Sequence, residues 1–355
     1  MARIAVIPGD GIGPEVIREA LKVGQEVAAR FDLELQFETV RLDADTYLST
    51  GTALPPETFE RLRDEFDAIL LGALGDERVP DMAHLRGVLL GLRSGLDLFV
   101  NLRPVKLLHE DLCPLKGRGC DAVCFEIVRE NTEGAYCGLG GTLRRGTEAE
   151  IAIEQDVNTR RGVERILRFA FERAGSWPRR RLCMADKSNI LVHGHGLWKR
   201  VFDSLREEYP QIRARHLYID ALVMEMVRDP SQFEVIVTCN LFGDIVSDLG
   251  AQLQGGMGMA ASANTCPDSG AGLFEPVHGS APGLVGGGLA NPMATILSLS
   301  MLLAHLGHEM AAAQVEAAVV ATLEGGRCTP DVGGTATTAQ VGDEVAVRVG
   351  STAVT

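Results

Sequence analysis

Short continuous apolar runs recur along this chain and alternate with longer amphipathic stretches. "RIAVIPG" (3–9) precedes "EVIREALKVGQEVAARF" (15–31), and "FDAILLGAL", "DAVCFEIVREN", "RRLCMADK" and "FEVIVTCN" follow at intervals. A strand that is apolar at every position must be covered on both faces. In a soluble chain that means a largely parallel sheet between layers of helices, an α/β architecture. The chain has 355 residues, more than one core comfortably serves, so two lobes are expected.

The first strand-like run ends in Gly9, Gly11 and Gly13, a spacing that invites a nucleotide-binding reading. Glu38, at the end of "LELQFETV", lies roughly where a ribose-binding acid would follow. The spacing, however, is G-x-G-x-G rather than G-x-G-x-x-G. Pro14 also removes an amide that would face a pyrophosphate. A structural strand-to-helix turn is the better reading of this loop.

Bulk properties exclude several partners. A net charge of −14 argues against a nucleic-acid surface, although local arginines can still attract a small anion. No apolar run has membrane-spanning length, and "MARIAVIPGD" lacks the layout of a signal peptide. Eight cysteines occur without a CxxC pair. Cys120 and Cys124 flank an apolar strand pattern and read as core, so a reduced, cytoplasmic protein is expected. No repeat, low-complexity tract or linker stands out. "GGTLRRGTEAEIAIEQDVNT" (140–159) differs from its surroundings, alternating polar and apolar residues after a Gly-Gly turn. It predicts a two-stranded arm. A lone exposed hairpin is marginal, which hints at a partner chain that covers it.

Three charged clusters could carry chemistry. In "CNLFGDIVSDLG" a helix starting near Leu241 places Asp244 and Asp248 one turn apart on one face. Two such carboxylates suit Mg²⁺ or Mn²⁺, and equally a solvated acidic face near a helix start. In "HLRGVLLGLRSGLDLFVNLRPV", helical spacing aligns Arg86, Leu89, Leu90 and Arg93, and Arg103 follows next to Pro104. Arginine on an apolar stripe calls for an anion, either a substrate carboxylate or a structural acid. Arg129 ends another buried strand. In "MADKSNI", Lys187 stands immediately after a strand. The nearby His193 and His195 form a weak H-x-H pattern that reads as structural.

In order along the chain, "IPGDGIGPEV", "LRSGLDLFVNLRPV", "VRENTEGAY", "DKSNI", "YIDAL", "NLFGDIVSDL", "EPVHGSAPGLVGGGLANP" and "TPDVGGTATT" resemble the β-decarboxylating dehydrogenases. This family includes isocitrate, isopropylmalate, homoisocitrate and tartrate/D-malate enzymes. The resemblance implies a two-lobed α/β/α fold distinct from the Rossmann fold. Residues 1–98 and 255–355 would form the first, cofactor-binding lobe. Residues 99–254 would form the second, with a β-arm for dimerisation. It implies NAD contact at Glu275, His278, Gly279, Ser280, Ala281, Asn291 and Asp331. Arg93, Arg103 and Arg129 match the arginines that hold malate carboxylates. Asp244 and Asp248, with Asp220 from a second subunit, match the ligands of Mg²⁺ or Mn²⁺. Tyr136 matches the proton donor, and Lys187 the residue of the base step, in a homodimer with shared sites.

The substrate implied is a malate carrying a substituent on C3. Leu89 and Leu90 favour the isopropyl group. "VRENTEG" is closer to the isocitrate, homoisocitrate and tartrate branches, and Arg86 stands where the tartrate/D-malate branch often has tryptophan. Some members of the family are non-catalytic regulatory subunits that have lost active-site residues, but this chain keeps the arginines, aspartates, tyrosine and lysine. The usual NAD marker, an aspartate just after "HGSAP", is replaced by Gly283 and Leu284.

Overall fold

The computed structural model describes residues 1–351. Twelve strands alternate with helices: β1 (Ala2–Gly9), β2 (Leu35–Thr39), β3 (Ala68–Ala73), β4 (Val100–Lys106), β5 (Cys124–Glu130), β6 (Gly140–Leu143), β7 (Ile151–Glu154), β8 (Arg181–Asp186), β9 (Arg213–Tyr218), β10 (Val235–Thr238), β11 (Ala261–Cys266) and β12 (Ala271–Pro276). The chain divides into two compact units. One comprises Met1–Leu98, Lys106–Cys120 and the described residues from Ala251 on; the other comprises Phe99–Val105 and Asp121–Gly250. The boundary therefore departs from the expected one, because Lys106–Cys120 and Ala251–Gln254 belong to the first unit. The backbone amide of Lys106 bonds the Gln254 side chain at 2.7 Å, which ties these two segments together.

In the first unit the strand order is β2-β1-β3-β12-β11. β1 runs parallel to β2 and β3, and β3 parallel to β12, while β11 is antiparallel to β12. Ile4, Ile7, Leu70 and Leu71 are buried without gaps, as strands covered on both faces require. The glycine loop joins β1 to the helix Gly13–Phe31, which accepts Pro14 in its first turn, where the missing amide costs nothing. Gly11 has φ of 58°, and a Cβ there would lie 2.1 Å from the carbonyl oxygen of Ser280. The amide of Ile12 bonds that same oxygen at 2.9 Å. The loop thus packs against its own chain at the position a phosphate would need. Glu38 is likewise engaged as an ion-pair partner of Arg3 and Arg61.

In the second unit the order is β4-β5-β10-β8-β9, with β5, β10, β8 and β9 mutually parallel. The helices Arg160–Gly175 and Gly194–Glu208 pack together through Phe171 and Phe202, whose rings stack at 5.6 Å. The expected arm is present as the antiparallel pair β6–β7, with Leu143 opposite Ile151 and every residue exposed.

Candidate active-site residues

The second unit gathers its charges at the carboxyl ends of its parallel strands, where α/β sheets place ligands. Arg129 is the last residue but one of β5, and the helix Asn240–Leu253 follows β10 after a single residue. Gly243 lets the two meet, because a Cβ there would lie 2.5 Å from Cγ of Arg129. Arg129 is only 2 % exposed, so its charge needs partners. Its Nε and Nη2 donate to Oδ1 of Asn240 at 3.0 and 2.7 Å, and its Nη1 donates to Oδ1 of Asp244 at 2.6 Å. Arg103, buried on β4, reaches the same Asp244 oxygen at 3.3 Å and donates to Asn101 and Ser247. The Tyr136 hydroxyl donates to Oδ2 of Asp244 at 2.9 Å, and its ring lies under the Arg129 guanidinium. Burial, followed by the charge of Asp244, raises the Tyr136 phenol above its ordinary value. It therefore stays protonated at neutral pH.

Asp248 lies one turn further along the helix and makes no hydrogen bond or ion pair. Partial loss of water around its carboxyl raises its pKa, and the neighbouring Asp244 adds to the shift against the two arginines. Asp220 stands elsewhere in the unit, at the start of the helix Ile219–Arg228, and accepts from Nζ of Lys187. That contact holds its carboxyl below the ordinary value. Among the described residues, no three His, Cys, Asp or Glu side chains are grouped to hold a metal. The oxygen-only set of Asp244 and Asp248 fits a hard divalent cation in its chemistry, and the raised Asp248 is the charge such an ion would relieve. His195 is buried, and its Nδ1 accepts from the amide of Lys187 at 2.9 Å. Burial lowers its pKa, so its role is to position the lysine segment.

In the first unit, Arg93 is buried and donates to Oε1 of Glu275 at 2.9 Å, while its Nε has no partner. Glu275 also accepts from the Asn264 amide at 2.9 Å, an element the sequence reading missed. Only a polar residue inside an otherwise buried strand would have marked Asn264. Arg86, Leu89 and Leu90 depart from the expected α-helical spacing, because Arg86–Leu90 form a π-helical turn. Arg86 is exposed without a hydrogen bond or ion pair, and both leucines are half-buried. The segment after β12 carries His278, Gly279, Ser280 and Ala281. His278 turns Nδ1 to the Gly279 carbonyl, and its buried Nε2 is unpartnered. Burial lowers the pKa of this ring, leaving a neutral imidazole with one unused polar atom. Asn291 donates to Oδ2 of Asp331 at 3.0 Å, and Thr329 donates to its other oxygen. An orphaned imidazole nitrogen beside an exposed glycine-rich loop fits a polar, ring-bearing cofactor.

The family model described as isocitrate/isopropylmalate dehydrogenase matches residues 3–345. The chain belongs to this family. Among its relatives, a 3-isopropylmalate dehydrogenase of Thermobifida fusca is 48% identical over 348 residues, covering 98% of this chain and 97% of that protein. Among solved structures, an isocitrate dehydrogenase from Methylococcus capsulatus superposes with a TM-score of 0.89 at 37% identity, covering 99% of this chain and 100% of the other. A β-decarboxylating dehydrogenase from Thermococcus kodakarensis gives 0.78 at 37% identity, covering 98% and 96%. The α/β fold of the family is shared along the chain, which is a decarboxylating dehydrogenase.

Proposed function

We propose that the protein oxidatively decarboxylates 3-isopropylmalate to 4-methyl-2-oxopentanoate, a step of leucine biosynthesis, with NAD and Mg²⁺ or Mn²⁺. The observation that carries this reading is the convergence of Arg103, Arg129 and Tyr136 on Asp244. Two buried cations, a neutral acid and a carboxylate form a cluster poised to exchange partners. A dianionic malate offers carboxylates to the guanidinium groups, and the oxygens of Asp244 and Asp248 would hold a divalent cation. Every charge then remains paired through binding.

When bound, a divalent ion supplies Lewis-acid polarisation of the 2-hydroxyl and of the ketone derived from it. Glu275, His278, Gly279, Ser280, Ala281, Asn291 and Asp331 would hold NAD, which would supply the hydride acceptor for C2. Arg93, Arg103 and Arg129 bind and orient the carboxylates. Lys187 serves the base step that removes the hydroxyl proton. Loss of CO₂ from C3 leaves an enolate, and Tyr136 gives its phenolic proton to that carbon. Leu89 and Leu90 supply apolar contact for the isopropyl group.

The working unit is a homodimer with shared sites. Met224 and Val227 on one helix, Ile245 on another, and Leu139, Leu143, Ile151 and Ile153 on the arm are all exposed apolar residues. A second copy of the chain would cover them. It would also bring Lys187 and Asp220 to the neighbour's Asp244 and Asp248. No helix among the described residues is long and apolar enough to cross a membrane. The buried thiols of Cys183, Cys239, Cys266 and Cys328 fit a reducing cytoplasm.

The test is Mg²⁺-dependent NADH formation from a panel of 3-isopropylmalate, D-malate, tartrate, isocitrate and homoisocitrate. The highest kcat/KM is expected with 3-isopropylmalate. A preference for D-malate or tartrate, or for a tricarboxylic acid, would reassign the C3 pocket and Arg86 with it.

A further inference from the structure

The parallel strands β10, β8 and β9 have a second end. Their carboxyl ends lead to Asp244, Lys187 and Asp220. Their amino ends open onto a cavity of about 350 Å³ lined by Arg181, Arg213, Arg215, Gln232, Phe233 and Glu234 among others, a volume in the small-molecule range. Six strand residues at roughly 3.3 Å each put about 20 Å between the two ends.

The cavity is built from arginines that lack acids. Arg181 of β8 is the register partner of Arg213 of β9, and Cys183 that of Arg215, so all four side chains share one face. Like charges directly opposite one another on adjacent strands repel. Yet no carboxylate lies within 4 Å of the guanidinium nitrogens of Arg181, Arg213 or Arg215. Arg181 donates to the Gln232 carbonyl at 3.3 Å, and Arg215 donates to Oε1 of Gln232 at 2.8 Å. Arg213 makes no side-chain bond.

The acids nearby are committed elsewhere. Glu234 is taken by Nε of Arg179 and by the amides of Arg179 and Arg181. Glu225, on the helix beside β9, is taken by Arg228 and Gln232. The Arg215 guanidinium also lies over Phe233, 4.8 Å from the ring centroid, which helps hold it in place. Burial pushes the Cys183 thiol up to about 12, so it contributes no negative charge. The balance is three arginines without a close ion pair, Arg215 reaching Glu225 only through longer-range attraction, in a chain of net charge −14.

We propose that this cavity is a second binding site for a small polyanion, a metabolite carrying a phosphate or several carboxylates. The guanidinium forks of Arg181 and Arg215 meet its oxygens, Arg213 closes the open side, and Phe233, already against Arg215, faces its apolar body. Occupancy relieves the repulsion between β8 and β9, whose other ends carry Lys187 and Asp220. The site therefore suits an effector rather than a substrate.

Calorimetric titration of the full-length protein with pyrophosphate and, separately, with tricarballylate tests it, without substrate, NAD or turnover. One equivalent per chain is expected to bind for at least one probe, more weakly at high ionic strength. The pyrophosphate arm identifies a phosphate site and the tricarballylate arm a polycarboxylate site. R213Q should weaken that binding at least tenfold, and the R213Q/R215Q pair should abolish it. In the absence of anion R213Q should leave Tm unchanged or raised, since it removes repulsion, whereas a structural arginine would lower it. No binding of either probe, binding unaffected by R213Q, or a lowered Tm in R213Q would each overturn the proposal.

Discussion

Arg103 and Arg129 converge on the Asp244 carboxylate, and the neutral Tyr136 hydroxyl donates to it as well. The raised phenol keeps its proton available at neutral pH. Tyr136→Phe keeps the ring over Arg129 and deletes the acid, so kcat is expected to fall by roughly 10²–10⁴, the usual worth of a positioned acid. A supplied 2-oxo intermediate separates the half-reactions: its CO₂ release should slow more than hydride transfer does. Unchanged release would remove Tyr136 from the role. Cofactor choice is also argued at single residues. A Cβ at Gly283 would meet nothing within 4 Å, and "PGLVGGG" holds no cation. Wild type is expected to prefer NAD because a 2′-phosphate would find no paired charge in this loop. Gly283→Asp should raise kcat/KM for NAD and lower it for NADP, each by about tenfold, or about 1.4 kcal/mol. A wild-type preference for NADP would mean that a cation from outside the loop reaches the phosphate.

The helix Asn240–Leu253 shows how pattern and packing divide the information. Its start near residue 241 and the one-turn spacing of its two aspartates were legible, because strand-end and helical period are local properties. That Asp244 sits under two arginines while Asp248 stands alone was not, since it depends on β4 and β5 arriving from elsewhere in the chain. The turn Arg86–Leu90 failed the same way. Spacing predicted an α-helical stripe, but the segment widens to a π turn while Gly87 seats against Ala53, over thirty residues away. β11 was missed because Ser262 and Asn264 interrupt its apolar run, although both are buried. For Asp248 the direction of the shift sets a pH dependence. Its folded pKa is raised, so its contribution to stability is fully present below the ordinary 3.8 and is lost as pH rises through the folded value. At neutral pH the metal-free helix therefore carries an unfavourable charge. Asp248→Asn should raise the metal-free Tm slightly, by no more than about 2 °C, and should remove most of the Tm gain produced by Mg²⁺. A Tm gain from Mg²⁺ as large as in wild type would place the ion elsewhere.

At the scale of the molecule, the alternation of apolar runs was enough to reach the α/β class, and the order of motifs was enough to reach the family. What one chain does not assemble is informative about the second. Lys187 is bonded to Asp220, not to the cluster at Asp244, although all three belong to the same unit. The arm and the two helices that carry Asp220 and Asp244 expose apolar residues, which the proposed homodimer would cover. If each site takes Lys187 and Asp220 from the neighbour, two inactive variants should complement one another. In a heterodimer of Lys187→Ala and Arg103→Ala chains, one site receives Arg103 from the first chain and Lys187 from the second, and is intact. The other site lacks both. At equal mixing half the dimers are mixed and half their sites are whole, so roughly a quarter of wild-type activity is expected. Subunit exchange must be verified independently, for example by mass-tagged chains in native mass spectrometry. Full exchange without recovered NADH formation would show that each site is built from a single chain, and Lys187 would then act where it stands, beside Asp220.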